Sequence, residues 1–535
     1  MTAPAEDLGH ESWDPLHEDG DQDFFWSTDN IGEAMPGVLS PLGWTWSGPT
    51  NDAMVREVAY QMGVFDRTER RRSSVAAQDS QVSIFYGRIA LRMDYLATMG
   101  DRMPGTTGPE AMRGVFGRVP EDMQFSPTRR RYPFIAARMP WVFTTTPKAV
   151  TDLAADTDLW WRRSIEQVGS LDLERARVLA GEARGWFDQA MTTHALGLFA
   201  VINPLYSALD SLVRQTGVGD VGSLGGTGGA EIAIVADIWR AATGRDELST
   251  VIANHGFHGP REGEMSSRVW REDDSQLRRL LEDYALRPDP VERERETRAR
   301  VPGLRRELLA ALPARRRPAA ALVLHLAARR LPQRGVGKRS FLQALDVARA
   351  AARVVGRHLH DAGRLDAPDD VFQLTYAEVT GDLPADLREL VKLRTERATV
   401  YRSLEIPASW RGTPLATRRR KLSEMERPVE VTGIGVSNGV VEGPVRLVTD
   451  IAQADIEPGE VLVAPTTDPS WASIMYVSSA LVVDLGGPLS HAAVVARELG
   501  IPCVVNTRTG SRDLRTGDLV RVDGRSGTVQ VIRRS

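Results

Sequence analysis

The sequence predicts a mixed fold, α followed by α/β: a large, mainly helical domain and then a small α/β domain. Three observations predict it. Between residues 50 and 420 apolar residues recur at helical spacing, and few alternating β-branched runs appear. Near the end the pattern changes to short apolar β-branched runs bounded by glycine, such as Ala480-Leu481-Val482-Val483-Asp484 and Ile501-Pro502-Cys503-Val504-Val505. Between the two, Leu404 to Arg427 turns polar, with Pro407, Pro414 and a basic cluster, and reads as a hinge. The expected organisation is a flexible acidic tail over 1–23, a helical domain over 24–403, a linker over 404–429 and an α/β domain over 430–535.

Taken in order, the tail up to Asp23 is acidic and polar, with neither a basic start nor an apolar core, so it does not read as a signal peptide. Leu159 to Val213 alternates apolar and charged residues at roughly 3.6 spacing, with Trp160, Trp161 and Trp186 as anchors between helices. Gly222 to Gly229 invites a phosphate-loop reading. It lacks the Gly-Lys-Ser/Thr ending and a preceding strand, so a flexible loop before a helix at Ala230 is expected. Ala230 to Gly244, Ser275 to Leu286 and Phe341 to Leu359 repeat the helical habit, and the glycines and Pro260 of His255 to Glu264 make that stretch a loop. Val301 to Pro332 is arginine-rich and amphipathic, with its charges on a solvated face.

Composition narrows the function. A chain of 535 residues has room for two or three domains. Its formal net charge of −4 gives nucleic acid binding no electrostatic support. The longest apolar run, Pro318 to Ala328, is broken by His325 and flanked by arginines, so no membrane span is expected. The single cysteine, Cys503, excludes a disulfide framework, suits a reducing cytoplasm and reads as core packing. Basic residues are nearly all arginine. Lysine occurs only at Lys148, Lys338, Lys392 and Lys421, which makes each lysine a candidate for a specific role.

The most informative stretch is Gly486-Gly487-Pro488-Leu489-Ser490-His491, running into Ala492-Ala493-Val494-Val495-Ala496-Arg497-Glu498-Leu499-Gly500. The two glycines turn a buried strand into a helix that Gly500 and Pro502 stop. His491 falls in the first helical turn, where free N–H groups and the positive dipole end favour an anion and disfavour protonation of the ring. On geometry alone the residue could equally be a surface or capping histidine.

The string as a whole resembles the phosphohistidine segment of the swivelling domain in phosphoenolpyruvate synthases, pyruvate phosphate dikinases and rifampicin phosphotransferases. The resemblance extends over roughly 430 to 535 and includes Gly433-Ile434-Gly435-Val436-Ser437-Asn438-Gly439, Val461 to Pro469, Thr516-Gly517-Asp518 and Asp523-Gly524. Asn438 stands where the family often has proline, and Cys503 where alanine is common. The resemblance implies that His491 carries a phosphoryl group and that the domain rotates to deliver it, with Ser490 and Gly487 beside it as binding residues.

The helical part in turn resembles the acceptor-substrate domain of rifampicin-phosphotransferase-like proteins. The matching segments are Trp26 to Glu33, Phe85-Tyr86-Gly87-Arg88, Asp101 to Thr106, His255 to Glu264 and Asp370 to Thr375. Arg334-Gly335-Val336-Gly337-Lys338 falls where that family carries arginine, glutamate and lysine at the opening of a helix. Arg334 and Lys338 are four apart, share a helical face and could clamp the equatorial oxygens of a transferring phosphoryl group. Gly335 replaces the expected glutamate, which puts general-base help from that position in doubt. His258 and Glu262 are candidates to move the proton of a hydroxyl, and Glu264 to bind substrate. Loop hydrogen bonds and salt bridges are the competing reading of all three. No second ligand cluster accompanies them, so no metal is expected.

Neither an ATP-grasp domain nor a phosphoenolpyruvate-binding barrel is legible in the chain. The expected function is that of a phosphotransferase component. A separate ATP-grasp partner, holding the ATP and any magnesium, loads His491, and the phosphoryl group passes to a small-molecule hydroxyl. Two-component phenylphosphate synthases divide the work similarly. The alternatives are net dehydration by phosphorylation and elimination, and a non-catalytic phosphocarrier or regulatory ligand-binding protein.

Overall fold

A computed structural model describes residues 13–29, 31–71, 79–219, 221–225, 230–285, 288–418, 428–449, 456–467, 471–487 and 490–535. Three long helices form the centre of the helical domain. In Tyr132–Val168 the buried positions Val142, Thr146, Val150, Leu153, Thr157, Trp161, Ser164 and Val168 recur every three or four residues, which gives one continuous stripe. Leu173–Gly197 starts at Asp172, whose side chain accepts from the Arg175 N–H, and presents Ala176, Ala180, Ala183 and Ala190, small enough to let a neighbour come close. That helix continues through a π-helical turn, Leu198–Ile202, into Asn203–Thr216. The third, Gln333–Asp361, packs against the first two and is buried on nearly all sides from Leu342 to Val355. Its alanine-rich middle is what a helix surrounded by others requires. The periodic segment expected over Leu159 to Val213 thus falls on three helices and a π turn, broken after Val168.

The helical domain also carries a four-stranded sheet in the order Val82–Phe85, Arg88–Arg92, Phe25–Ser27, Ser409–Arg411. The last strand corrects the linker reading. Trp410 pairs with Trp26 in antiparallel register and is buried against Phe85, so residues 409–411 belong to the helical domain. Leu404–Glu405 likewise pairs with Thr417–Arg418, while residues 419–427, Lys421 among them, lie outside the described residues. The tail reading needs the same correction. Leu16 is buried in the core, and Asp14 accepts from the Tyr401 hydroxyl, so the residues from Trp13 onward are part of the fold. Polar composition concealed both, because each segment needs only one or two large side chains, Leu16 and Trp410 among them, to be held.

The C-terminal domain is an eight-stranded sheet in the order Glu430–Thr432, Thr528–Arg533, Leu519–Asp523, Val440–Leu447, Val461–Ala464, Ala480–Val483, Cys503–Val505, Ile434–Ser437. The pairs from Val440–Leu447 to Cys503–Val505 are parallel and the outer ones antiparallel. Short helices Ala472–Met475 and His491–Leu499 make the crossovers, as parallel pairing demands. Val461–Ala464, Ala480–Val483 and Cys503–Val505 are buried at every position, and burial pushes the Cys503 thiol up to about 12. The thiol is therefore a packing group.

Candidate active site

The C-terminal part of the site begins at Asp484, at the end of the strand Ala480–Val483. Its carboxylate accepts from the Thr507 hydroxyl at 2.8 Å, from the Ser511 N–H at 3.1 Å and from the Ser511 hydroxyl. Burial raises its pKa, opposed in part by those bonds. The chain then turns at Gly486, whose φ of +147° disfavours a side chain, and where a Cβ would lie 3.0 Å from the Ser490 hydroxyl. Ser490 is buried and caps the helix His491–Leu499, its hydroxyl accepting from the Ala493 N–H at 3.3 Å. Gly487 keeps partial exposure, while Pro488 and Leu489 lie outside the described residues. His491 is therefore the first residue of the helix, at the end where unpaired N–H groups remain. Its side chain lies outside what the structure describes.

The helical part of the site centres on Lys338, one turn past Arg334 near the start of Gln333–Asp361. The ammonium lies 3.4 Å from Oε2 of Glu262. That is an ion-pair distance without hydrogen-bond alignment, since this oxygen has no hydrogen-bond partner. Oε1 of Glu262 is 2.5 Å from Nδ1 of His258. Glu262 and His258 are both buried. Burial alone would raise the pKa of Glu262; the charges of Lys338 and His258 outweigh it and hold the carboxyl below its ordinary value. Three of the residues predicted from sequence, Lys338, Glu262 and His258, are thus gathered at one place, with Glu262 as the anion that orients the lysine and Arg334 one helical turn before it.

Glu264 lies apart from them. Its carboxylate accepts from the Ser40 N–H at 3.2 Å, the Ser266 N–H at 3.0 Å and the Ser266 hydroxyl at 2.8 Å, fixing the start of helix Pro41–Gln61. The loop that carries these acids is gripped by Arg349, which is 1% exposed and donates to the carbonyls of Met265, Glu262 and Glu264 at 3.0–3.1 Å. Asp346, buried on the same helix, accepts from the Trp161 indole at 2.8 Å and from Arg271 at 2.8 Å. Among the described residues no group of three or more His, Cys, Asp and Glu side chains is gathered to hold a metal ion.

Sequence reasoning missed Arg349, Asp346 and also His194, a residue of helix Leu173–Gly197 whose ring faces the helix of Arg334 and Lys338. The signal for His194 would have been Gly337, where a Cβ would stand 2.6 Å from the ring's Nδ1.

The two parts of the site meet through Tyr206. The Arg497 guanidinium, from the helix that His491 opens, lies 5.4 Å from the Tyr206 ring centroid. Burial raises the pKa of Tyr206, and the charges of both Arg497 and Arg334 oppose the rise. One phenol on Asn203–Thr216 therefore lies within the electrostatic reach of both parts.

Two segments match known families. Residues 456–527 match the PEP-utilising enzyme mobile domain, and residues 235–340 match the rifampicin phosphotransferase fourth domain. An uncharacterized protein of Mycobacterium tuberculosis is 36% identical over 281 residues, covering 52% of this chain and 30% of that protein. An uncharacterized phosphotransferase of Bacillus subtilis is 36% identical over 193 residues, 34% of this chain and 23% of the other. A rifampicin phosphotransferase of Streptomyces sviceus is 34% identical over 189 residues, 35% of this chain and 22% of the other. The chain thus spans about a third or less of the curated relatives it matches. In those two segments the chain is similar to the mobile domain of the phosphoenolpyruvate-utilising enzymes and to the fourth domain of rifampicin phosphotransferases.

Proposed function

We propose that this chain is a phosphotransferase component in which His491 carries a phosphoryl group, loaded by a separate ATP-dependent partner, and delivers it to a hydroxyl of a small molecule. The observation that carries the reading is the Lys338 cluster in a segment matched to the rifampicin phosphotransferase fourth domain, with the His491 helix docked near it through Arg497 and Tyr206. In transfer, Arg334 and Lys338 neutralise the equatorial oxygens, which is the main requirement of a loose phosphoryl transition state. Glu262, held ionised, keeps the lysine in place, and the buried His258 fixes Glu262. ATP and its metal belong to the partner, and the single cysteine favours the cytoplasm as the place of reaction. By its likeness to proteins named for rifampicin phosphorylation, the acceptor is an organic hydroxyl compound.

Gly335 favours keeping a second outcome. With no carboxylate at that position, a phosphorylated hydroxyl could leave by elimination, giving net dehydration. A non-catalytic phosphocarrier has less support, because it needs no buried ionic cluster away from His491. The test is mass spectrometry under alkaline conditions of the chain and of His491→Ala after incubation with ATP and lysate of the source organism. An acid-labile phosphoryl group on the first and not the second is expected. Absence of label, while another swivelling-domain protein in the same assay is labelled, would reject phosphotransfer.

A further inference from the structure

His194 is the one histidine near Arg334 and Lys338 that the reading above leaves unused. Its ring is half-buried, and among the described residues neither ring nitrogen has a hydrogen-bond partner or is shut off from solvent, so each is open to a small hydroxyl. It borders a narrow cleft of about 10 Å³ between three helices, room for about one water molecule or one hydroxyl group. Two irregularities meet there. Pro147, inside Tyr132–Val168, has no N–H for the carbonyl one turn before it, and the π turn Leu198–Ile202 interrupts the facing helix. The walls mix the apolar Val150, Val201 and Ile202 with Thr146, and the side chain of Gln333 is turned onto the Pro147 carbonyl at 3.4 Å. Phe341 meets the imidazole edge-on with centroids 5.4 Å apart. With no Cβ on residue 337, the ring can rest on the very turn of helix that separates Arg334 from Lys338.

We propose that His194 is the general base of the acceptor reaction and that the cleft beside it is the slot into which the acceptor's hydroxyl enters. The inference rests on the phosphotransfer reading and adds to it a base and a hydroxyl position. In the step, the acceptor oxygen forms a P–O bond as the P–N bond to His491 breaks, and the electron pair of that bond returns to the His491 ring. The hydroxyl proton passes to a free ring nitrogen of His194 and then to solvent. A slot of this size admits the hydroxyl alone, and the body of the acceptor rests outside it.

The electrostatics give the step an order. Burial first, and then the charges of Arg334 and Lys338, lower the pKa of His194 to about 3, so the ring is neutral and a poor base while the site is empty. An arriving phosphoryl group brings negative charge to those two cations and cancels part of the field that keeps the proton off. The base gains strength when the phosphoryl group is in place, which is when attack has to occur.

The test loads the full chain chemically with phosphoramidate, a small phosphoryl donor to imidazole, and follows the His491 phosphoryl group by peptide mass spectrometry. Discharge is measured to water and to added phenol across pH, for wild type, His194→Gln, Lys338→Met and His491→Ala. The expected result is normal loading and about a hundredfold slower discharge in His194→Gln, with loss of the acid limb of the rate profile. His194→Asn, which is smaller, is the second variant should the Gln side chain disturb packing, and each variant is compared with wild type by thermal melting. If Lys338→Met slows discharge but neither His194 variant does, the base assignment falls and the acceptor site stands. If none of them slows it, both fall. Equal loading of wild type and His491→Ala overturns the carrier role and this inference with it.

Discussion

At the scale of single residues, Lys338 holds the buried ionic cluster of Glu262 and His258 together, and its lesson is one of charge balance. The ammonium is partly exposed, with 29% of its side-chain surface open, whereas Glu262 is almost wholly buried and depends on it. Removing one partner of such a pair leaves the other uncompensated, which costs more than the pair itself contributes. Lys338→Met should therefore lower stability by about 2–3 kcal/mol and slow phosphoryl transfer by about a hundredfold or more. The double variant Lys338→Met with Glu262→Gln should regain much of the stability, since no buried charge is left unpaired, and regain none of the transfer. Urea unfolding and single-turnover discharge of His491, run as a double-mutant cycle, separate the two effects. Recovery of transfer in the double variant would mean that the lysine acts only as a support for Glu262.

At the scale of the element, helix Gln333–Asp361 both carries Arg334 and Lys338 in its first two turns and, with Asp346, Arg349 and Arg353, grips the loop bearing His258 and Glu262. The three gripping residues are spaced three and four apart, so they share a face. Arg349→Met keeps the volume of the side chain and strands three carbonyls from which water is excluded. A loss of about 3 kcal/mol or more is expected by urea unfolding, together with a weaker grip on Glu262. A loss below about 1 kcal/mol would show that the loop stands without it. This helix also marks how much the sequence discloses. Its apolar period was legible, and so were Arg334 and Lys338, because a lysine in a chain with only four stands out. Arg349 was not, since arginine is abundant here and a buried one carries no local mark. His194 lacks a motif altogether; only the helix opposite, through Gly337, records that something must fit there. The strands at 404–405 and 409–411 were illegible for a related reason, because their pairing partners lie far off in sequence, Trp410 with Trp26 among them.

At the scale of the whole molecule, the two domains share a core. Ile238, Trp239, Leu277 and Tyr284 of the helical domain cluster with Ile474, Met475, Leu481, Ala492 and Val495 of the C-terminal domain, and Tyr284 stacks on Tyr476 with centroids 5.8 Å apart. Two histidines of the helical domain, His194 and His255, resist protonation in the folded state. Burial, followed by the nearby His258, lowers His255 to about 4 despite its 2.9 Å contact with Asp237, and burial with Arg334 and Lys338 lowers His194 to about 3. A group whose pKa falls on folding binds fewer protons in the native state than in the unfolded one. Its contribution is fully present above the ordinary imidazole value of 6.5 and is lost as pH falls towards the folded value. Stability should therefore decline between pH 6.5 and about 4 by up to about 1.4 kcal/mol per pH unit for each histidine. Urea unfolding of wild type and of the variant His194→Gln with His255→Gln, compared at pH 7 and pH 4.5, checks this. The variant should lose some stability at neutral pH, because the Asp237 contact goes, and should show a flatter acid limb. An unchanged acid limb would assign the acid sensitivity to carboxylates such as Glu262, whose lowered pKa acts in the same direction at lower pH.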